Sequence, residues 1–211
     1  MENLKDQEKI IDLSFYLKKD VVAIAKSLIG KVLHTCIDGQ KTSGIIIETE
    51  AYAGITDRAS HAYGGRRTQR TETMYKEGGI AYVYLCYGMH YMFNIVTNKC
   101  NIPHAVLIRG LLPVAGKEIM MKRLKKNNLT IESGNGPGKV CKLLGIDKRH
   151  NGLSLNDNTI WLTNNPFSIN KNMIQTGKRI GVDYAGTDAL LPYRFYLNKN
   201  DIVKLENNYL Q

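Results

Sequence analysis

The sequence predicts a single mixed α/β (α+β) domain built on a curved antiparallel sheet, with a protruding β-hairpin and surrounding helices. Three observations carry this prediction. β-rich apolar runs joined by short turn signals recur in pairs. Helical apolar spacing appears only in short stretches between them. Finally, no linker-like stretch, repeat or low-complexity segment divides the 211 residues, of which 43% are hydrophobic, so residues 1–211 read as one domain.

The elements follow in order. Asp20 precedes "VVAIAKSLIG", where Val21, Ile24, Ala25 and Leu28 recur at helical spacing and Gly30 is placed to end the helix. "KVLHTCI", then Asp38-Gly39, then "KTSGIIIETEAY" is a strong hairpin signal. Alternation on the second strand groups Ile46, Glu48, Glu50 and Tyr52 on one face and sets Ile45, Ile47 and Thr49 opposite. Residues 53–79 hold glycine and four arginines without periodicity, and a loop of that length in a compact domain is usually functional or disordered. "AYVYLCYGMHYMFNIVT", 81–97, reads as two strands meeting at Tyr87-Gly88-Met89, a hairpin whose tip exposes Tyr87. "HAVLIRGLLPV", 104–114, completes a meander, and "GKEIMMKRLKK" follows as a short basic helix.

Composition narrows the function classes. There are 29 Lys+Arg against 19 Asp+Glu, a net charge of +10, which favours a polyanionic partner or an anionic surface. The four cysteines, Cys36, Cys86, Cys100 and Cys141, form no C-x-x-C pair, and His90 stands alone among aromatics, so no metal site is expected. The N-terminal "MENLKDQEKIIDLSFYL" has no apolar run of signal-peptide length, and no 18 consecutive residues are apolar. A cytoplasmic chain with reduced thiols, away from membranes, is expected.

Several residues could carry chemistry. In "GIIIETEAYAG", 44–54, a strand reading as buried ends in two carboxylates and a phenol, and burying a carboxylate is costly unless it is paired or used. "SGNGPGKVCKLLGI", 133–146, fails as a phosphate-binding Walker loop: Ser133 stands where its first glycine belongs, and Val140 follows Lys139. What survives is a glycine-rich turn opening a helix with Lys139 in its first turn, a shape that suits one phosphate or is a plain tight turn. Arg66, Arg67 and Arg70 either contact phosphates or solvate a mobile loop. Tyr82 and Tyr84 share a strand face; strand tyrosines are more often core than stacking site, but Tyr52, on a neighbouring strand beside Glu50, adds a third phenol. Such a cluster could sandwich a flat heterocycle with a carboxylate at its edge.

"ETEAY", "SHAYGG", "YVYLCYGMHYMFNIV", "AVLIRGLLP" and "GNGPGKV", in this order and spacing, resemble the alkyladenine (3-methyladenine) DNA glycosylase family, single-domain enzymes that remove alkylated purines. The resemblance runs from about residue 17 to about residue 204. It implies that Glu50 is the general base activating a water for attack on the anomeric carbon of the flipped nucleotide, and that Arg109 helps hold that water. It implies further that Tyr52, His61 and Tyr84 stack the extruded base, with main chain near His61 reading its edge. The resemblance also implies that Asn94 crowds the exocyclic amine of normal guanine and that Tyr87, with Met89 beside it, intercalates into the duplex. Lys178 stands where the family commonly has proline and Tyr193 where it commonly has tryptophan; these departures bear on lesion breadth and leave the reaction untouched.

A 3- or 7-alkylated purine carries positive charge, so its glycosidic bond is weak and one carboxylate suffices. No lysine in these motifs is placed to attack the sugar, so hydrolysis without strand cleavage is expected, on damaged double-stranded DNA, by a monomer without cofactor. Glu48 is expected to pair with a neighbouring Lys or Arg rather than assist Glu50. Two other readings compete: a non-catalytic module whose tyrosines stack on single-stranded bases, and an enzyme on a small phosphorylated metabolite seated at 133–139. Tyr87 at a hairpin tip argues against the second, and a water-positioning Arg109 against the first.

Overall fold

The computed structural model describes residues 9–167 and 169–209; the first eight residues of the N-terminal stretch lie outside them. Helix α1, Val21–Leu28, begins where Asp20 accepts hydrogen bonds from the main-chain N–H of Val22 and Ala23, a cap of about 1 kcal/mol. Its buried stripe is Val21, Ile24, Ala25 and Leu28. Strands β1, Val32–Ile37, and β2, Gln40–Tyr52, pair antiparallel across Asp38 and Gly39, both left-handed, as a tight two-residue hairpin turn requires.

After a 53–79 segment of short 3-10 turns come β3, Ile80–Cys86, β4, His90–Thr97, and β5, His104–Ala115, the expected meander. Helices α2, Lys117–Leu124, and α3, Pro137–Leu144, follow, then β6, Ile160–Thr163, β7, Ile174–Gly177, β8, Arg194–Leu197, and α4, Lys199–Asn208. The sheet runs β3-β4-β5-β2-β1-β6, with β8 joining β2 and β7 joining β8, every pair antiparallel. Apolar side chains of β1, β2, β4 and β5 pack with α1 and α3 into the main core, where Leu28, Leu33, Ile45, Ile95 and Leu111 are fully buried. Each such side chain contributes about 1.5–3 kcal/mol of burial.

Two features depart from the expected strand pattern. β2 is not regular: its Gln40–Ile45 half pairs with β1 and its Glu48–Glu50 part with β8, and a bulge between Ile46 and Glu48 separates the two. The bulge inserts one residue, so strict alternation fails there. A Cβ built on Gly110 would meet Glu48 Cβ at 2.8 Å and Ile47 Cγ1 at 3.1 Å, so Ile47 lies beside Glu48 and not opposite it. Second, Tyr52 is not on a strand next to Tyr84. β4 and β5 stand between β2 and β3, and the curl of the sheet brings the two rings to one cavity.

Among the described residues no helix is long and apolar enough to cross a membrane.

Candidate active site

The cavity, ≈ 490 Å³, opens between the β3–β4 hairpin, the 59–61 turn and the 180–184 segment. It brings together Tyr52 from β2, His61 and Arg70 from the irregular excursion, Tyr82, Tyr84 and Tyr87 from the hairpin, Asn94 from β4 and Arg109 from β5. The His61 and Tyr84 rings meet edge to face at 4.7 Å, and Arg70 lies 4.6 Å above Tyr84. His61 Nδ1 is 3.0 Å from the Tyr82 hydroxyl, and Arg70 Nη2 is 3.5 Å from Nε2. Arginine can only donate, which assigns the ring proton to Nδ1. Burial, then Arg70 and Arg66, push the His61 pKa down to about 4, so the ring is neutral at pH 7. Asn94, 3% exposed, donates to the main-chain carbonyls of Tyr82 and Met92, which fixes its amide.

Glu50 has no exposed surface and stands one layer behind the cavity wall. Its Oε2 accepts the Tyr52 hydroxyl at 2.8 Å, its Oε1 accepts the Ile180 main-chain N–H at 2.8 Å, and Arg109 Nε lies 3.4 Å from Oε1. Burial raises the Glu50 pKa, a shift that Arg109, the Ile180 N–H and the Tyr52 hydroxyl oppose and Glu48 reinforces. A carboxylate so raised is a better proton acceptor than a solvated one, and each oxygen keeps a lone pair. Glu48 does pair as expected, with Arg109 at 3.1 Å and Arg194 at 3.3 Å.

At the mouth, Tyr87 is 86% exposed at the hairpin tip and sits at φ 50, a left-handed conformation that a bulky residue seldom adopts. Met89, 72% exposed, shares the tip but borders a separate hollow with His90, Arg123 and Asp147. Of the loop arginines, Arg67 is already held by Glu72 through two hydrogen bonds, whereas Arg66 is exposed at the loop surface. Lys139 lies in the first turn of α3, as expected, with Nζ donating to the Glu132 carbonyl at 3.2 Å.

Sequence reasoning missed the 179–188 segment. Arg179 is buried and grips Asp57 with both terminal nitrogens, Nη2 to Oδ1 at 2.9 Å, while also donating to the Ala51 and Asp188 carbonyls and lying 4.9 Å over the Tyr52 ring. That clamp seats the Ile180 N–H on Glu50. Tyr184, 71% exposed, lines the cavity and donates its hydroxyl to the Ala59 carbonyl. The available signal was an arginine directly before the apolar Ile180 in "KRIGV", which periodicity does not detect. Of the two departures, Tyr193 lies outside the cavity wall and packs its ring 5.3 Å from Arg179, one contact away from Tyr52.

Comparison with known proteins places these residues in context. The family model for methylpurine-DNA glycosylase (MPG) matches residues 14–201. A Chlamydia abortus protein is 50% identical over 186 residues, covering 88% of this chain and 96% of its own. A Chlamydia pneumoniae protein is 44% identical over 192 residues, covering 90% and 96%. One from Desulfitobacterium hafniense is 43% identical over 205 residues, covering 94% and 100%. All three bear the name "Putative 3-methyladenine DNA glycosylase".

Proposed function

The chain belongs to the methylpurine-DNA glycosylase family, and from that premise we propose that it flips alkylated or deaminated purines out of duplex DNA and hydrolyses their N-glycosidic bond. Acting as a monomer, one domain over its 211 residues, it leaves an abasic site without cutting the strand. The observation that carries this reading is Glu50: a fully buried carboxylate at the back of an aromatic cavity, its pKa raised by burial, with both oxygens steered by fixed donors.

Extruding a base costs a few kcal/mol, less for a damaged pair. Tyr87, projecting from the hairpin, offsets part of that cost by stacking in the vacated gap, with Met89 beside it. The flipped purine stacks among Tyr52, His61 and Tyr84, and the fixed Asn94 amide crowds the exocyclic amine of unmodified guanine. Glu50 takes a proton from a water that Arg109 helps hold. The water oxygen bonds to the anomeric carbon as the C–N bond breaks; the bonding pair neutralises a charged alkylpurine, and a neutral deaminated purine takes up a proton from solvent as it leaves. The ionised carboxylate also stabilises the cationic sugar along the way. Arg66, Arg70 and Lys139 supply backbone contacts.

The test is base release from a panel of duplexes bearing 3-methyladenine, 7-methylguanine, hypoxanthine or ethenoadenine. Release of a methylated purine, with strands breaking only after alkali, is expected. Absence of release from every duplex, or direct strand cleavage, overturns the reading.

A further inference from the structure

Arg109 serves two carboxylates with one nitrogen. Its Nε donates to Glu48 Oε1 at 3.1 Å and lies farther, 3.4 Å, from Glu50 Oε1. Glu48 Oε1 also takes Arg194 Nη1 at 3.3 Å. Arg194, Glu48, Arg109 and Glu50 thus form a row of alternating charge, from a side chain 21% exposed to one with none. The fold builds this row deliberately. The β2 bulge sets Glu48 opposite Gly110, whose missing Cβ admits it, and on β2 the strand β8 pairs with the Glu48–Glu50 stretch alone, which brings Arg194 alongside. A second hollow, ≈ 340 Å³, opens onto Glu48, Arg109 and Arg194 and shares only Arg109 and Ile180 with the first.

Two anions competing for one guanidinium have a definite consequence. An unshared Arg109 would close on Glu50 and occupy its lone pairs, and a tightly paired carboxylate is a poor base. We propose that Glu48, drawn between Arg109 and Arg194, is a positioning residue that holds Arg109 back from Glu50 and so keeps the buried carboxylate basic and open to water. The inference rests on the reading of Glu50 as the base. Charged and titratable groups face Glu50 from every side: Glu48 and Tyr52 on β2, Arg109 on β5, and Arg179 on the 179–188 segment, with Arg194 on β8 acting through Glu48. Of these, Arg109 opposes the rise in the Glu50 pKa and Glu48 supports it.

The test is the pH profile of single-turnover base release from a duplex with one methylated purine. In Glu48→Gln, Arg109 closes on Glu50, so the acid limb moves to lower pH and the plateau rate falls. In Arg194→Gln, Glu48 is relieved of its second partner and pulls Arg109 harder, so the limb moves to higher pH. Arg194→Lys restores the parent profile. Shifts of opposite sign are the signature of this positioning role, because a merely structural pair lowers the melting temperature and leaves the limb in place. Profiles that superimpose, or that move the same way, overturn the proposal. Should circular dichroism show Glu48→Gln unfolded, the double variant Glu48→Gln/Arg194→Gln takes its place, with the limb again expected at lower pH. Glu50→Gln runs in parallel: its retaining the parent rate sinks the base assignment itself, whereas an inactive Glu50→Gln with unmoved limbs sinks the positioning role alone.

Discussion

Glu50 shows most clearly how a single residue links stability to chemistry. Its pKa is raised in the folded chain, so its contribution to stability is full below the ordinary carboxylate pKa and is lost as pH rises through the folded value. Once ionised, the side chain therefore works against the fold. Glu50→Gln keeps the shape and removes the charge, so its melting temperature at pH 7 is expected to match or exceed the parent's, an advantage that disappears in acid. Base release in the same variant is expected to fall by roughly 10²–10⁴-fold, the usual loss when proton transfer is removed, and lesion-duplex affinity to persist. A variant that melts early and still releases base would make Glu50 a structural residue. Arg179 predicts the opposite pattern. With its guanidinium and the Asp57 carboxylate both buried, Arg179→Met leaves a lone buried anion and is expected to cost about 3–5 kcal/mol, read by urea unfolding. Glu50, Tyr52 and Tyr84 were legible because the strand period puts polar groups where apolar ones belong. Arg179 was not, because its meaning comes from Asp57, 122 residues away.

At the scale of elements, local chemistry was the readable part. The Asp20 cap, the Asp38-Gly39 turn and the Tyr87 tip each follow from a few adjacent residues, and each stands where the sequence predicts it. The β2 bulge did not announce itself, since it is a register shift against β5, a strand distant in the sequence. The hairpin carries a prediction of its own. Tyr87 buries almost nothing and occupies a left-handed backbone position, so Tyr87→Ser is expected to leave the melting temperature unchanged while reducing excision from duplexes. An unchanged excision rate would remove the tip from the mechanism. Gly134 predicts the reverse balance. A Cβ there would lie 1.8 Å from the Leu111 carbonyl oxygen, so Gly134→Ala must push the turn before α3 away from β5. Overpacking of this kind costs about 1–3 kcal/mol or more, and Pro137, three residues on, lines the cavity. A melting temperature equal to the parent's would show that the turn can move freely.

At the scale of the whole molecule, the curl of the sheet makes the cavity, and no local pattern encodes it: Tyr52 and Tyr84 meet only because β5 and β4 bend between them. Net charge, by contrast, is a global quantity that the sequence states outright. At +10 the protein is expected to bind duplex DNA with strong salt dependence, log affinity falling by about 0.9 per log salt for each phosphate neutralised. The loop arginines differ in their partners, and that difference makes the slope a test of their expected phosphate contacts. Arg66 is exposed at the loop surface, so Arg66→Ala is expected to reduce the slope by about one phosphate contact. Arg67 is already neutralised by Glu72, which holds two of its nitrogens at 2.8 and 2.6 Å. Arg67→Ala is therefore expected to leave the slope where it was, and Glu72→Gln, which frees the guanidinium, to steepen it. Exposed pairs are worth only about 0–1 kcal/mol, so a phosphate could in principle take Arg67 from Glu72. Fluorescence titrations from 50 to 200 mM salt decide between the two: if Arg67→Ala flattens the slope as much as Arg66→Ala does, the pair opens on DNA and Arg67 belongs to the binding face.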